Sequence, residues 1–334
     1  MSGAVLPLLL LLAGSVDDSF RAALIDLDRG DLTSAQSHLE AAIKVAPRDG
    51  RAWVALSQTY WRLHKNADAE VAAGKAAAFA PDDPAVLQGL AIYYSETGQT
   101  LKAARAQAKY AAKVPEKGEA REHAIELYFV AARPLLDQQK FAEAVVILKE
   151  GAARFAQSAQ LELALGVAYY GLRRFDEAAD AFLRTIEIAP ETAQPYTFLG
   201  RILDQIPGQL LQVTQRFAEY EASHPKSATG YLLHAKALDA QSVEPETARR
   251  LLEKSIVIDG RDSSAHFEMG TVLDRLQRFS DAAAEFERAA ELAPSDPAAH
   301  YRLARDYDRI GKHEAAQAER EKHAQLVKAQ EVIR

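Results

Sequence analysis

Apolar, small and aromatic residues return at a fixed interval of 34 positions along most of this chain. Trp53, Leu56, Tyr60, Ala69, Ala76 and Pro81 are followed at the same spacing by Leu87, Leu90, Tyr94, Ala103, Tyr110 and Pro115. Near the other end, Met269, Gly270, Leu273, Ala282, Phe286, Ala289 and Pro294 repeat the pattern. The eighth residue of each copy is small: Ala91, Gly166, Gly200, Gly270 and Ala304. Such a residue lets two packed helices approach closely, and Ala69, Ala103, Ala178 and Ala282 do the same from the opposite side. Tyr60, Tyr94, Tyr169 and Tyr307 supply large complementary surfaces, so their place in the period assigns them to packing. Late prolines such as Pro81 and Pro190 stop a helix and set the turn into the next copy.

These residues at this period closely resemble the tetratricopeptide repeat, a helix-turn-helix unit. One such unit cannot bury its own apolar face, so copies stack on their neighbours. The resemblance implies an all-α chain, an α-solenoid of about eight to nine units wound as a right-handed superhelix. It covers roughly residues 16–325.

The 34-residue frame divides the chain. Residues 16–117 hold units one to three. Residues 118–158 hold most of a polar insertion, which runs from Glu116 to His123, and an irregular unit four. Residues 159–334 hold units five to nine and a capping helix. Unit four keeps Phe141 and Leu148 but lacks a closing proline, and Pro134 is expected to kink or shorten its first helix. Unit six loosens at Ile206-Pro207-Gly208, and unit seven carries a polar stretch, Gln241 to Glu246. From Glu314 the last helix has few large apolar residues before Leu326, as a polar end cap requires.

Composition narrows the chemistry. The 334 residues are 48% hydrophobic and 26% charged, with a net charge of −7, which argues against general affinity for nucleic acid. Cysteine is absent, which excludes disulfides, zinc ribbons and thiol chemistry. The apolar run Ala4 to Ala13 is too short for a membrane span of about 18 residues or more. With Gly14-Ser15 after it, it fits a secretory signal over residues 1–15, although Met1-Ser2-Gly3 has no cation. That signal would make the protein periplasmic or secreted; without it the protein would be cytoplasmic. Ser15 stands where a lipoprotein signal needs Cys, so no lipid anchor is expected there.

No glycine-rich phosphate loop and no Gly-x-Ser-x-Gly elbow is present. His313-Glu314 begins like a zinc-protease helix, but Gln317 replaces the second ligand. No catalytic, cofactor-binding or metal-binding residue is therefore expected. The family resemblance instead implies a concave groove lined by the first helix of each unit. Carrying its positions across gives Arg51, Gln58, Arg62, Gln88, Ile92 and Glu96 in the early units and Gln160, Leu163, Val167 and Tyr170 in unit five. In the later units it gives Phe198, Arg201, Leu232, Lys236, Phe267, Glu268, Arg275, Tyr301, Arg302, Arg305 and Arg309. That half of the groove is cationic with aromatic interleaving, which suits an acidic segment, since arginine meets carboxylates with two parallel bonds. The competing reading is that the arginines pair with Asp274, Asp306 and Asp308 and simply solvate the face. The chain is expected to be a protein-protein interaction scaffold for a protein or peptide. The alternatives are a subunit of a cell-envelope assembly or secretion machine, and the recruiting arm of an enzyme.

Overall fold

A computed structural model describes residues 18–333, with side chains to residue 330. The expected signal segment, residues 1–15, lies outside the described residues. Among those described, every regular element is helical, and the chain divides into two compact units at Leu172–Arg173.

The first unit contains α1 (Asp18–Arg29), α2 (Leu32–Val45), α3 (Gly50–Arg62), α4 (Asn66–Phe79), α5 (Pro84–Glu96), α6 (Thr100–Lys113), α7 (Gly118–Asp137), α8 (Phe141–Arg154) and α9 (Ala159–Gly171). The second contains α10 (Phe175–Ile188), α11 (Ala193–Arg201), α12 (Leu210–Ser223), α13 (Ala228–Ala240), α14 (Pro245–Ile258), α15 (Ser263–Arg275), α16 (Phe279–Leu292), α17 (Pro297–Arg309) and α18 (His313–Ile333). Consecutive helices pack as antiparallel hairpins: α1 on α2, α3 on α4, α5 on α6 and α7 on α8, then α13 on α14, α15 on α16 and α17 on α18. This is the stacked helix-pair architecture of an α-solenoid.

The two kinds of turn have different chemistry. First helices are opened by side-chain caps: Asp49, Asp83 and Ser158 in the first unit, and Ser227, Asp262 and Asp296 in the second, accept from backbone N–H groups of the first turn. Second helices such as α4, α6, α8 and α16 have no side-chain cap. They are entered through a single left-handed residue, as is α2, which alone of these adds a side-chain cap, Asp31 accepting from the Ser34 N–H. Gly30, His64 and Gly98 recur at the period, as do Gln139 with Arg173 and Gln277 with Gly311. The residue four places into most first helices ties back to the preceding turn. Trp53 donates to the Pro47 carbonyl at 2.8 Å, Tyr196 to Pro190 at 3.0 Å and Tyr231 to Pro225 at 3.3 Å. His266 and His300 hold the same place and add a carboxylate, with Nδ1 2.6 Å from Glu285 and Glu319 respectively.

The period tyrosines pack and also bond. Tyr60 donates to Glu40 at 3.0 Å, and Tyr307 donates to Glu287 at the same sequence offset. Burial first, and then Glu40, push the Tyr60 hydroxyl up to about 12. The small eighth residue acts as expected at Gly270, whose Cα faces the buried Phe286 ring of α16. Gly200 differs: an added Cβ would strike Leu233 of α13, the next first helix, rather than the partner helix.

The irregular segments also differ in detail. The polar stretch 116–123 supplies the opening turns of α7, which has 20 residues against the 13 of α5 and α9. Pro134 does not shorten α7. It lies exposed in the last turn, the helix runs on to Asp137, and the Pro134 carbonyl still accepts from Gln138. A proline this near the C-terminus removes only one ladder bond. In unit six, α11 stops after 9 residues and a 3-10 turn, Leu203–Gln205, takes over. Pro207 disfavours helical backbone at Ile206, yet Ile202, Leu203 and Ile206 stay buried. In unit seven, Ser242 and Glu244 are both left-handed before Pro245 opens α14. On α18, Ala316 and Glu319 face inward, while Gln317, Arg320, Glu321 and Gln325 are exposed.

Candidate partner-binding wall

Every cationic or aromatic residue named for the later groove sits on a first helix of the second unit. Phe198 and Arg201 are on α11, Lys236 on α13, Phe267 and Arg275 on α15, and Tyr301, Arg302, Arg305 and Arg309 on α17. Helix α11 touches α13, and α13 touches α15. From α13 onward, ion pairs cross from each first helix to the next. Lys236 meets Glu268 at 2.9 Å, and Arg275 meets Asp239 at 3.1 Å while its Nη1 donates to Ser242 at 2.6 Å. Arg309 pairs with Asp274 and with Asp306, the latter at 2.9 Å, and its guanidinium lies 4.6 Å from the Phe279 ring. Arg302 stands 3.9 Å from Asp274.

The wall is thus an ion-pair ladder. Asp274 and Asp306 are the partners expected from the sequence; Asp239 and Ser242 are additional. Asp308 instead pairs with Arg320 and His313 of α18. Two of the ladder acids are strongly desolvated. Burial pushes the Asp239 carboxyl above the usual range against the pull of Arg275, and burial with nearby Asp274 does the same to Asp306. Asp306 Oδ2 has no hydrogen-bond partner among the described residues, and Asp239 Oδ1 has only its charge contact with Arg275 Nε.

Two cations stand outside the ladder. Arg201 and Arg305 form no ion pair among the described residues; each lies over an aromatic ring, Phe198 at 5.8 Å and Tyr301 at 6.0 Å. Tyr301 is 49% exposed, with His323 of α18 at 5.5 Å. The other aromatics face inward. Phe198 stacks on Phe182 at 5.0 Å, and Phe267 is half-buried against Phe286 at 5.5 Å. Leu232 is buried.

In the first unit the corresponding positions are mixed. Arg51 pairs with Asp83 at 2.8 Å, Gln58 donates to the Gly89 carbonyl at 2.9 Å, and Gln160 donates to Glu126 at 3.1 Å. Arg62 and Glu96 are exposed; Gln88, Ile92, Leu163, Val167 and Tyr170 are half-buried.

Models of the tetratricopeptide repeat match residues 20–84, 267–321 and 135–202, together more than half of the chain. The chain belongs to the tetratricopeptide repeat family, whose members are in general non-catalytic scaffolds for protein partners. Among solved structures, it is similar to a thermophilic tetratricopeptide repeat protein of Thermus thermophilus, at 24% identity and TM-score 0.44 over 51% of this chain and 91% of that one. It is similar to MamA of Desulfovibrio magneticus at 22% identity and TM-score 0.44, over 52% and 96% of the two chains. PilF of Pseudomonas aeruginosa gives 16% identity and TM-score 0.46, over 60% and 90%. No curated protein matches. No described helix is long and apolar enough to cross a membrane.

Proposed function

We propose that this chain is a non-catalytic interaction scaffold whose second unit receives an acidic segment of a protein partner at the α17 end of the first-helix wall. The carrying observation is the contrast along that wall. Lys236, Arg275 and Arg309 are committed to Glu268, Asp239, Asp274 and Asp306, whereas Arg305 forms no ion pair among the described residues, feels Asp306 only at longer range and sits beside a half-exposed Tyr301. Arg302, held loosely at 3.9 Å, completes the patch. Two guanidinium groups with an exposed phenol ring match carboxylates flanked by apolar atoms.

The test is affinity capture from host extract with the intact chain and with Arg302→Glu plus Arg305→Glu, followed by mass spectrometry. A specific partner should be captured by the first and lost with the second. Equal capture would overturn the assignment to this wall.

The apolar run Ala4–Ala13 supports a second element of the reading, export from the cytoplasm and service in the cell envelope. N-terminal sequencing of the protein made in its own host tests it. A product beginning at Met1 in the cytoplasmic fraction would exclude it.

A further inference from the structure

We infer that the first unit carries an anion-binding pocket where α6, α7 and α8 meet, and that it takes a phosphate or carboxylate group borne on a small apolar body. A pocket of about 350 Å³ opens there, its floor made by Ala108 and Ala111 of α6 and by Phe155 just beyond α8. That is the lower end of the range in which small-molecule sites fall, about 300–1,000 Å³. Lys117, Arg121 and Arg154 stand around it, and among the described residues no acidic side chain lines it.

These three cations lack strong local partners. Lys117 reaches only a phenol, the Tyr110 hydroxyl at 3.3 Å. Arg121 lies 3.4 Å from its sequence neighbour Glu122, with both side chains exposed, a contact of the weakest kind. Arg154 comes no nearer than 3.7 Å to Glu150. The reason is competition: Glu150 is already gripped by the Arg105 guanidinium at 2.7 Å and by the Tyr128 hydroxyl at 2.8 Å. A chain with a net charge of −7 therefore gathers three weakly compensated cations over an apolar floor. An oxyanion placed between two guanidinium groups and an ammonium relieves their repulsion and gains charge-assisted hydrogen bonds. The alanines supply space, and Phe155, 7% exposed, held against Tyr128 at 6.3 Å and lying 5.9 Å from the Arg121 guanidinium, forms a fixed apolar base beneath that cation. Lys117 and Arg121 belong to the polar stretch that lengthens α7, so the pocket is a product of the irregular unit and not of the repeat itself.

The probes are phenyl phosphate, benzoate, inorganic phosphate and phenol, titrated into the full chain by calorimetry at low salt. Phenyl phosphate should bind saturably, and tighter than inorganic phosphate or phenol by at least about tenfold, since only it uses both floor and cations. Benzoate against phenyl phosphate distinguishes a carboxylate site from a phosphate site; either preference supports an anion pocket. Arg121→Gln with Arg154→Gln should weaken phenyl phosphate by at least about tenfold through lost charged hydrogen bonds. Those side chains are 43% and 44% exposed, so the melting temperature should not move, which separates loss of the site from loss of the fold. Ala112→Leu, at an exposed lining position, should weaken phenyl phosphate and spare inorganic phosphate. Phenol binding as tightly as phenyl phosphate, full affinity in the double variant, or no saturable binding up to millimolar concentrations would each overturn the proposal.

Discussion

Gly270 of α15 lies against the Phe286 ring of α16 so closely that an added Cβ would stand 2.8 Å from two ring carbons. Phe286 is wholly buried, so the ring has no free space to retreat into. Gly270→Ala should therefore cost about 1–3 kcal/mol by overpacking, and Gly270→Val more. Chemical denaturation measures it, and an unchanged midpoint would show that the helix pair can slide apart. Ala304, one period later, escapes the penalty because the α18 position that answers to Phe286 is Arg320, whose side chain is exposed.

Glu150 gathers Arg105, Tyr128 and, more loosely, Arg154. The Arg105 hydrogen bonds hold its carboxyl below the ordinary glutamate range, against the opposing effect of burial. A carboxyl depressed in the folded state contributes stability that is present above its unfolded pKa and disappears as pH falls through the folded value. Glu150→Gln should cost about 1–3 kcal/mol near pH 7. The gap between variant and wild type should close as pH drops below about 4. Urea unfolding of both proteins from neutral to acid pH checks the sign; a gap that widens in acid would contradict it.

The left-handed turns make a separate prediction. Gly98 has φ +72° with open space around its Cα, so Gly98→Ala should lose about 1 kcal/mol through backbone strain alone. Gln277, left-handed at φ 61°, tests the converse. Gln277→Gly should be neutral or gain up to about 1 kcal/mol, because relief of strain opposes the extra freedom of the unfolded chain. Thermal melts of both variants decide the point.

Asp274 restrains the cations of α17. Asp274→Asn removes the charge shared by Arg302 and Arg309 and leaves the wall more positive. Capture of an acidic partner should strengthen, opposite in sign to Arg305→Glu. The measurement is the relative recovery of the same captured protein at two salt concentrations, with the difference shrinking at high salt. Weaker capture by Asp274→Asn would place the partner elsewhere.

Much of this is legible along the chain. Repeat spacing, Gly270 and the packing tyrosines all follow from residue type at fixed intervals. The left-handed turn residues are not, since His64, Gln139, Arg173 and Gln277 occupy positions where only Gly30, Gly98 and Gly311 give a sequence signal. The wall is partly legible. Arg302 and Arg305 can be placed on a face, but Asp239 lies 36 residues from Arg275, and such a pairing has no local signature. The pocket at Phe155 has no sequence signal, because Arg121 and Arg154 meet only through three packed helices.

The sequence by itself determined the family, the helices and the faces they bury, because an apolar period that must be hidden leaves a stack of hairpins as its solution. The tertiary structure decided which charges are spent and which remain. Ion pairing depends on distances of a few ångströms between side chains a full repeat apart, and those distances exist only once neighbouring helices are in register.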